Sequence, residues 1–299
     1  MYRIAVLLSA YNGEKYIEEQ IQSIFQQKDC EVALYVRDDG SKDRTLEILE
    51  KLKETYNISI IKGNNIGWKA SFFELLHLVP DKFEYYAFSD QDDVWKKEKL
   101  KRAIEMIKDN IQPSLYCSAQ IFVDENLNYL SDDIHSHPNN SREAMTNLSS
   151  RGCSEVFNRE LLKLLQKEKV SINFSHDRWV ARLAIYAGKI VLDDESYILY
   201  RQHQNNSSGS NYKPSLLCKI NNLLSNYRKH DFYYWYALEL LTKYSMFLKK
   251  EDKMWLETLV KAKTDIKSKF TLLTSKDFVS ETMKGTIVLK FIMLFGLYQ

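Results

Sequence analysis

The sequence predicts an α/β fold, a doubly wound and mostly parallel sheet with a helical region appended on its C-terminal side. Two observations carry this. Up to Ser89, β-favouring apolar runs alternate with stretches whose apolar residues recur at helical spacing, the signature of strands joined by helical crossovers. Further on the composition changes: residues 213–299 hold 15 Lys and Arg against 8 Asp and Glu, whereas residues 1–212 carry a net −5, so the overall +2 of the 299-residue chain joins an acidic part to a basic one. That length accommodates a full α/β core and a smaller region, with expected limits of 1–212 and 213–299.

In chain order, Arg3 to Ser9 (RIAVLLS) is the first strand, Ala10-Tyr11-Asn12-Gly13 is turn chemistry, and Tyr16, Ile17, Gln20, Ile21, Ile24 and Phe25 follow at helical period. The unit repeats: Glu31 to Val36 leads into Arg37-Asp38-Asp39-Gly40-Ser41, and Leu46, Leu49 and Leu52 mark a second helix over Asp43 to Lys53. Ile58 to Lys62 is a third strand, Gly67 to Leu78 a third helix, and Tyr85 to Ser89 a fourth strand. A helix is expected over Asp177 to Ala187, a strand over Ser196 to Tyr200, and helical pattern through the C-terminal part.

The fourth strand delivers Asp90-Gln91-Asp92-Asp93-Val94-Trp95. Carboxylates crowded this closely repel one another unless a hard cation such as Mg²⁺ or Mn²⁺ takes their oxygens as ligands, and the carboxyl ends of strands are where open α/β sheets gather ligands. The other reading is an acidic turn capping the helix that begins near Lys96. The D-x-D-x-V spacing also fits phosphatases of the haloacid-dehalogenase type, whose first Asp is a nucleophile. That motif normally follows the first strand, whereas three strand–helix units precede it here.

Four motifs in order resemble the inverting family-2 glycosyltransferases of GT-A fold, and within them the rhamnosyltransferase-like members: Ser9 to Gly13, Asp38 to Asp43, Asn64 to Gly67, and Ser89 to Trp95. The likeness continues through Gly152 to Arg159, His176-Asp177-Arg178-Trp179 and Tyr200 to Asn206, covering roughly residues 3 to 210. It implies a Rossmann-like GT-A domain that binds a nucleotide-sugar donor, dTDP-rhamnose by preference and a UDP-hexose as the alternative. The acceptor would be a saccharide or polyprenyl-linked sugar in surface-polysaccharide synthesis. A protein that binds the donor without turnover is the non-enzymatic rival, against which the joint presence of Asp90, Asp92 and Asp177 speaks.

The resemblance assigns roles to residues. Asp38 and Asp39 would meet the donor base and its surroundings, Asp38 by accepting from a pyrimidine N3–H, with an Asx-turn as the alternative; Ala10 and Tyr11 would line the base pocket. Asp92 would be the more direct metal ligand, Asp90 a ligand nearer the sugar and ribose, and His203 a metal-proximal donor. Asp93 would orient the loop or cap the next helix, and Trp95 would pack. Asp177 would be the general base, at a helix N-terminus with an N-cap's freedom to point into the cleft, a plain helix cap being the alternative. Arg201, Lys69 and Gly67 would contact the donor, Arg201 and His203 from a loop able to close. Ser71 stands where many relatives carry Asn, and Gln204 replaces a common glycine.

The remaining composition sets expectations of a coarser kind. Met1-Tyr2-Arg3 passes straight into a strand, so a cytoplasmic chain is expected. Cys30, Cys117, Cys153 and Cys218 lack C-x-x-C spacing, which argues against zinc and a disulfide framework, and Cys153 is expected to line the acceptor cleft as a small residue. No nucleic-acid motif is present. The apolar stretch Thr286 to Tyr298 falls short of the ~20 residues a spanning helix needs. It suits an interfacial helix on an anionic membrane face, or else a packing or homo-oligomer contact.

Overall fold

The computed structural model describes residues 1–133, 136–148, 150–170, 174–203, 231–280 and 282–295. The chain divides into two compact units: Met1–His135, Ser150–Ala184 and Gly188–Ser210 form the first, and Ser136–Ser149, Ile185–Ala187 and Asn211–Gln299 the second. The limit expected at 212 and 213 lies outside the described residues, as do Gln204, Cys218 and the end of the apolar stretch.

The first unit opens with the alternation expected: β1 (Tyr2–Ala10), α1 (Ile17–Phe25), β2 (Cys30–Asp38), α2 (Thr45–Lys53), β3 (Ile58–Lys62), α3 (Trp68–Leu78) and β4 (Tyr85–Ser89). β2 and β4 both pair in parallel with β1, and β3 pairs in parallel with β2, giving the order β3-β2-β1-β4. The winding therefore reverses between β1 and β4. At such a switch point neighbouring loops leave the sheet on opposite sides and open a crevice at the strand carboxyl ends. Ala10 and Ser89 end the two strands, so Tyr11-Asn12 and Asp90–Asp93 border it.

Beyond β4 the sheet is mixed. After β5 (Val94–Trp95) and α4 (Lys99–Ile107) come β6 (Ser114–Val123), β7 (Tyr129–Asp133), β8 (Glu155–Asn158), α6 (Arg159–Lys167), α7 (His176–Ala187) and β9 (Lys189–Arg201). β8 runs antiparallel to β4 and β6, β9 parallel to β6, and the order ends β4-β8-β6-β9-β5 with β7 on β6. The strand expected over Ser196 to Tyr200 is the end of the longer β9. One face of the sheet packs Ile4, Val6, Leu8, Leu34 and Val36 on Ile17, Ile21, Ile24, Leu49, Leu100 and Ile104, a core of aliphatic side chains that removes a large apolar area from water.

The second unit is helical: α5 (Ser141–Asn147), α8 (Asp231–Lys243), α9 (Lys250–Lys261), α10 (Ile266–Thr274) and α11 (Met283–Phe295). Its core holds Tyr236, Leu240, Tyr244, Leu256, Phe278, Leu289 and Ile292. Asn140 caps α5 by accepting from Arg142 and Glu143 N–H, and Asp265 caps α10 by accepting from Ser268 N–H.

Candidate active site

The crevice is built by pinning three loops to one another. After β1, the Tyr11 N–H donates to Gln91 Oε1 (2.9 Å) and Gln91 Nε2 donates back to Tyr11 O (3.0 Å), so the side-chain amide of Gln91 completes a small backbone ladder. Asn12 N–H donates to Ser41 Oγ (3.0 Å), while Asn12 Oδ1 accepts from Lys42 N–H (2.8 Å). Asp39 N–H donates to Ala10 O (2.7 Å). Ala10 is thus wholly buried with its carbonyl occupied, whereas Tyr11 is exposed at the rim.

The two acids after β2 face different tasks. Asp38 is buried; its Oδ2 accepts from Ser41 N–H (3.2 Å), an Asx-type contact, and its Oδ1 has no hydrogen-bond partner among the described residues. Asp39 is saturated: its carboxylate pairs with buried Arg37 and accepts from Ile66 N–H (2.8 Å) and Gly67 N–H (2.9 Å). It holds the loop before α3, where Gly67 sits at φ +83°, a conformation that side chains rarely adopt. Lys69, in the first turn of α3, lies with Nζ 5.6 Å from the centre of the Trp68 ring.

The acidic loop is organised from below and from the side. Asp93 is buried, its Oδ1 accepting from Arg201 N–H (3.2 Å) and its Oδ2 without a partner among the described residues. Ligand-type atoms of Asp90, Asp93 and Cys153 all lie within 4.8 Å of one another. Asp92 Oδ2 lies 2.8 Å from His203 Nε2, and the imidazole stacks on Tyr16. The structure thus pairs Asp92 with His203 and groups Asp90 with Asp93, for which the sequence suggests only a loop-orienting or capping role.

Arg201 is embedded. Its Nε donates to Asp92 O (2.9 Å), Nη1 to Glu125 O and Nη2 to Glu19 Oε2 (2.5 Å each), and the guanidinium lies over the Tyr16 ring. Its side chain and its N–H together fasten β9 to the acidic loop. Trp95 packs as expected, with the buried Lys99 ammonium 3.7 Å from its ring centre.

Electrostatically the loop is unbalanced. Burial first, then Asp92 and Asp177, push the Asp90 carboxyl up to about 7, and burial with Asp92 and Asp90 pushes Asp93 well above the usual carboxylate range. Such crowding of acids, with Asp93 Oδ2 lacking a partner among the described residues, fits a hard divalent cation. Cys153 does not: its thiol is soft, and burial drives its ionisation well above the ordinary range, which leaves it neither a ligand for Mg²⁺ or Mn²⁺ nor a nucleophile.

Asp177 lies in the first turn of α7, not at its cap; Ser175 holds that position, and Asp177 Oδ1 accepts from Arg178 N–H (2.7 Å). The helix thus begins one residue earlier than expected. Asp177 is close enough to Asp90 and to buried Glu155 to raise the ionisation of both. Beside it, His176 is buried between Phe72 (centroids 3.9 Å) and Phe88 (4.6 Å), and burial lowers its pKa to about 4, so the ring is neutral. A side chain at Gly152 would come within 2.4 Å of His176 Nε2, which explains the glycine there.

Sequence reasoning gave no role to Gln91, Arg37, Lys99 or Glu155. Nothing in local pattern distinguishes them, since each acquires its place only through contacts between distant segments.

The family model described as Glycosyl transferase family 2 matches residues 5–187. The dTDP-rhamnosyl transferase RfbG of Shigella flexneri is 32% identical, over 74% of this chain and 81% of that protein. The UDP-Glc:alpha-D-GlcNAc-diphosphoundecaprenol beta-1,3-glucosyltransferase WfaP of Escherichia coli is 29% identical over 36% of this chain and 42% of its own length. Among solved structures, Staphylococcus aureus TarS 1–349 in complex with UDP-GlcNAc superposes with a TM-score of 0.60 at 18% identity, covering 92% of this chain and 77% of that one. A Pyrobaculum calidifontis mannosyltransferase in complex with GDP-Man and Mn²⁺ gives 0.56 at 13%, covering 100% and 81%. The fold is the GT-A type, and the phosphatase reading of Asp90 is set aside. The chain belongs to glycosyl transferase family 2.

Proposed function

We propose that the chain transfers rhamnose from dTDP-rhamnose, with inversion and with the help of Mg²⁺ or Mn²⁺, to a saccharide or polyprenyl-linked acceptor of a cell-surface polysaccharide. The observation that supports the reaction type is the grouping of Asp90 with Asp93 and the closeness of Asp177 to Asp90, beside an Asp38 oxygen that has no partner among the described residues. The similarity to the rhamnosyl transferase over most of both chains supports the donor.

In this reading Asp38 Oδ1 accepts the N3–H of the pyrimidine while its Oδ2, bonded to Ser41 N–H, keeps the carboxylate aligned. Asp90 and Asp92 would hold the cation, Asp93 lying beside Asp90 and His203 beside Asp92. When bound, that ion neutralises charge gathering on the diphosphate as the glycosidic bond breaks. Asp39 and Arg201 act one step removed: they fix the loops that carry Gly67 and Asp92, and neither carboxylate nor guanidinium is left for the donor in this arrangement. Lys69 and Tyr11 border the donor from the rim.

Asp177 takes the proton of the acceptor hydroxyl as its oxygen attacks the anomeric carbon from the face opposite the leaving nucleoside diphosphate. The C1–O bond to phosphate breaks, and the proton remains on the Asp177 carboxyl until it passes to water. Neutral His176, wedged by Gly152 and Phe72, holds the start of α7 so that the carboxylate next to it is aimed.

A UDP-hexose is the second reading, favoured by the similarity to WfaP. Uracil and thymine present the same N3–H, so Asp38 serves both. Thermal shift against dTDP, UDP, dTDP-rhamnose and UDP-glucose with Mn²⁺ separates them, because a ligand stabilises the native state in proportion to its affinity. The largest shift is expected with dTDP-rhamnose; a larger one with UDP-glucose would move the assignment to the second reading.

A further inference from the structure

The second unit presents a helix that is apolar on both sides. On one side of α11, Leu289, Ile292 and Met293 line a small apolar cavity with Tyr233, Leu259 and Phe278. On the other, Ile287 (64% exposed), Phe291 (49%), Leu294 (52%) and Phe295 (59%) face outward, with Met283 one turn before them. Their spacing of four, three and one places them on one stripe. Phe291 and Phe295 also contact each other, ring centroids 4.4 Å apart.

Lys290, which interrupts this stretch in the sequence, does not interrupt the stripe: its Nζ is turned to the packed side, donating to Ser275 O (3.0 Å). The surrounding sequence is basic. Residues 261–295 carry seven lysines against three acids, and Lys267, Lys276 and Lys284 are exposed, as are Ile266 and Phe270 on neighbouring α10.

We propose that the outward stripe of α11 is a docking surface for an anionic bilayer, seated at the headgroup boundary with the exposed lysines of this basic region on acidic lipid. The proposal deepens the functional reading, on which it rests for the lipid-linked acceptor, by naming where the enzyme would meet that lipid. Charge complementarity chooses the occupant. A second copy would bring an equally basic face to this one, whereas an anionic leaflet neutralises it. The helix has 13 residues, a length of about 20 Å, and no described helix is long and apolar enough to cross a membrane, so it lies in the interface.

The test is sedimentation of the full chain with vesicles of phosphatidylglycerol and phosphatidylcholine, and with vesicles of phosphatidylcholine alone. No donor or acceptor is present, so the outcome is independent of the glycosyl transfer. Binding is expected with the anionic vesicles, weakened as salt rises from about 0.1 to about 0.5 M, which shortens the Debye length from about 10 Å to under half of that, and reduced about tenfold in partition coefficient by F291D/F295D. The milder I287Q/L294Q pair, whose side chains are likewise exposed, is expected to weaken binding in the same direction while the melting temperature and nucleotide binding of both variants stay near wild type. Absence of binding to anionic vesicles overturns the proposal. So does equal binding to neutral vesicles, binding unchanged in the variants, or a dimer of the wild type that the variants dissociate, which would make the occupant a second copy.

Discussion

The crevice of the first unit and the C-terminal helices of the second depart from ordinary burial in opposite directions. In the crevice, charge is inside: Asp93, Asp38, Glu155 and Lys99 are buried, each with at least one polar atom lacking a partner among the described residues. In the helical unit, apolar surface is outside, on α11 and α10. Exposed apolar residues are common and buried unpaired charge is rare, so the two departures carry unequal weight. Each nevertheless asks for something external: unbalanced carboxylates for a cation and a donor, a bare apolar stripe for a covering surface.

The comparison breaks first at Asp177. If the crevice is a site of chemistry, Asp177→Asn should lower transfer by about 10² to 10⁴, the usual contribution of a positioned general base, while nucleoside-diphosphate affinity by calorimetry stays near wild type. Near-normal turnover would reduce Asp177 to a residue of the first helical turn. Asp39 offers the contrasting case of a buried acid that is fully paired. Removing one partner of a buried ion pair costs about 3 kcal/mol or more, so Asp39→Ala should lower stability by that order in urea unfolding, with donor affinity falling only as the loop at Gly67 loosens. Unchanged stability with lost binding would instead make Asp39 a direct donor contact.

A smaller effect is expected at Asp92. With His203 retained, Asp92→Asn should weaken Mn²⁺-supported nucleotide binding by about 10- to 100-fold and leave the melting temperature nearly unaltered. Equal affinity with and without Mn²⁺ in the wild type would remove the cation from the account.

The smallest effect concerns Glu155, whose ionisation burial and then Asp177 push well above its ordinary value of 4.5. Between the unfolded and the folded pKa, the folded chain keeps a proton that the unfolded chain releases. Wild-type stability therefore falls as pH rises above about 4.5, until the folded pKa is passed. Glu155→Gln does not titrate, so its melting temperature should gain on the wild type as pH is raised over that window. A gap that is constant or closes would contradict the burial of an uncompensated carboxyl.

Much of this was legible in the sequence where local pattern and tertiary role agree. β1 to β4 and their helices were readable because strand runs and helical spacing alternate cleanly, and the acidic loop because it follows directly on the buried run Tyr85 to Ser89. The antiparallel half was not, since β6 and β8 bury Ser118, Gln120 and Glu155, and polar residues inside a strand erase the pattern that marks one. Lys99 reads as a surface lysine in an amphipathic helix, yet lies wholly buried on Trp95. The roles of Gln91 and Asp93 depend on contacts to residues 80 and 108 positions away, which no window along the chain contains.

The central claim, inverting transfer assisted by a cation and by Asp177, is tested most directly by following the anomeric proton of the sugar by NMR while dTDP-rhamnose turns over with Mn²⁺, with and without excess EDTA. The account predicts that the first-formed product has the anomeric configuration opposite to the donor's, that EDTA abolishes its formation, and that Asp177→Asn slows it within the stated range. A product of retained configuration, or full turnover in EDTA, would contradict it.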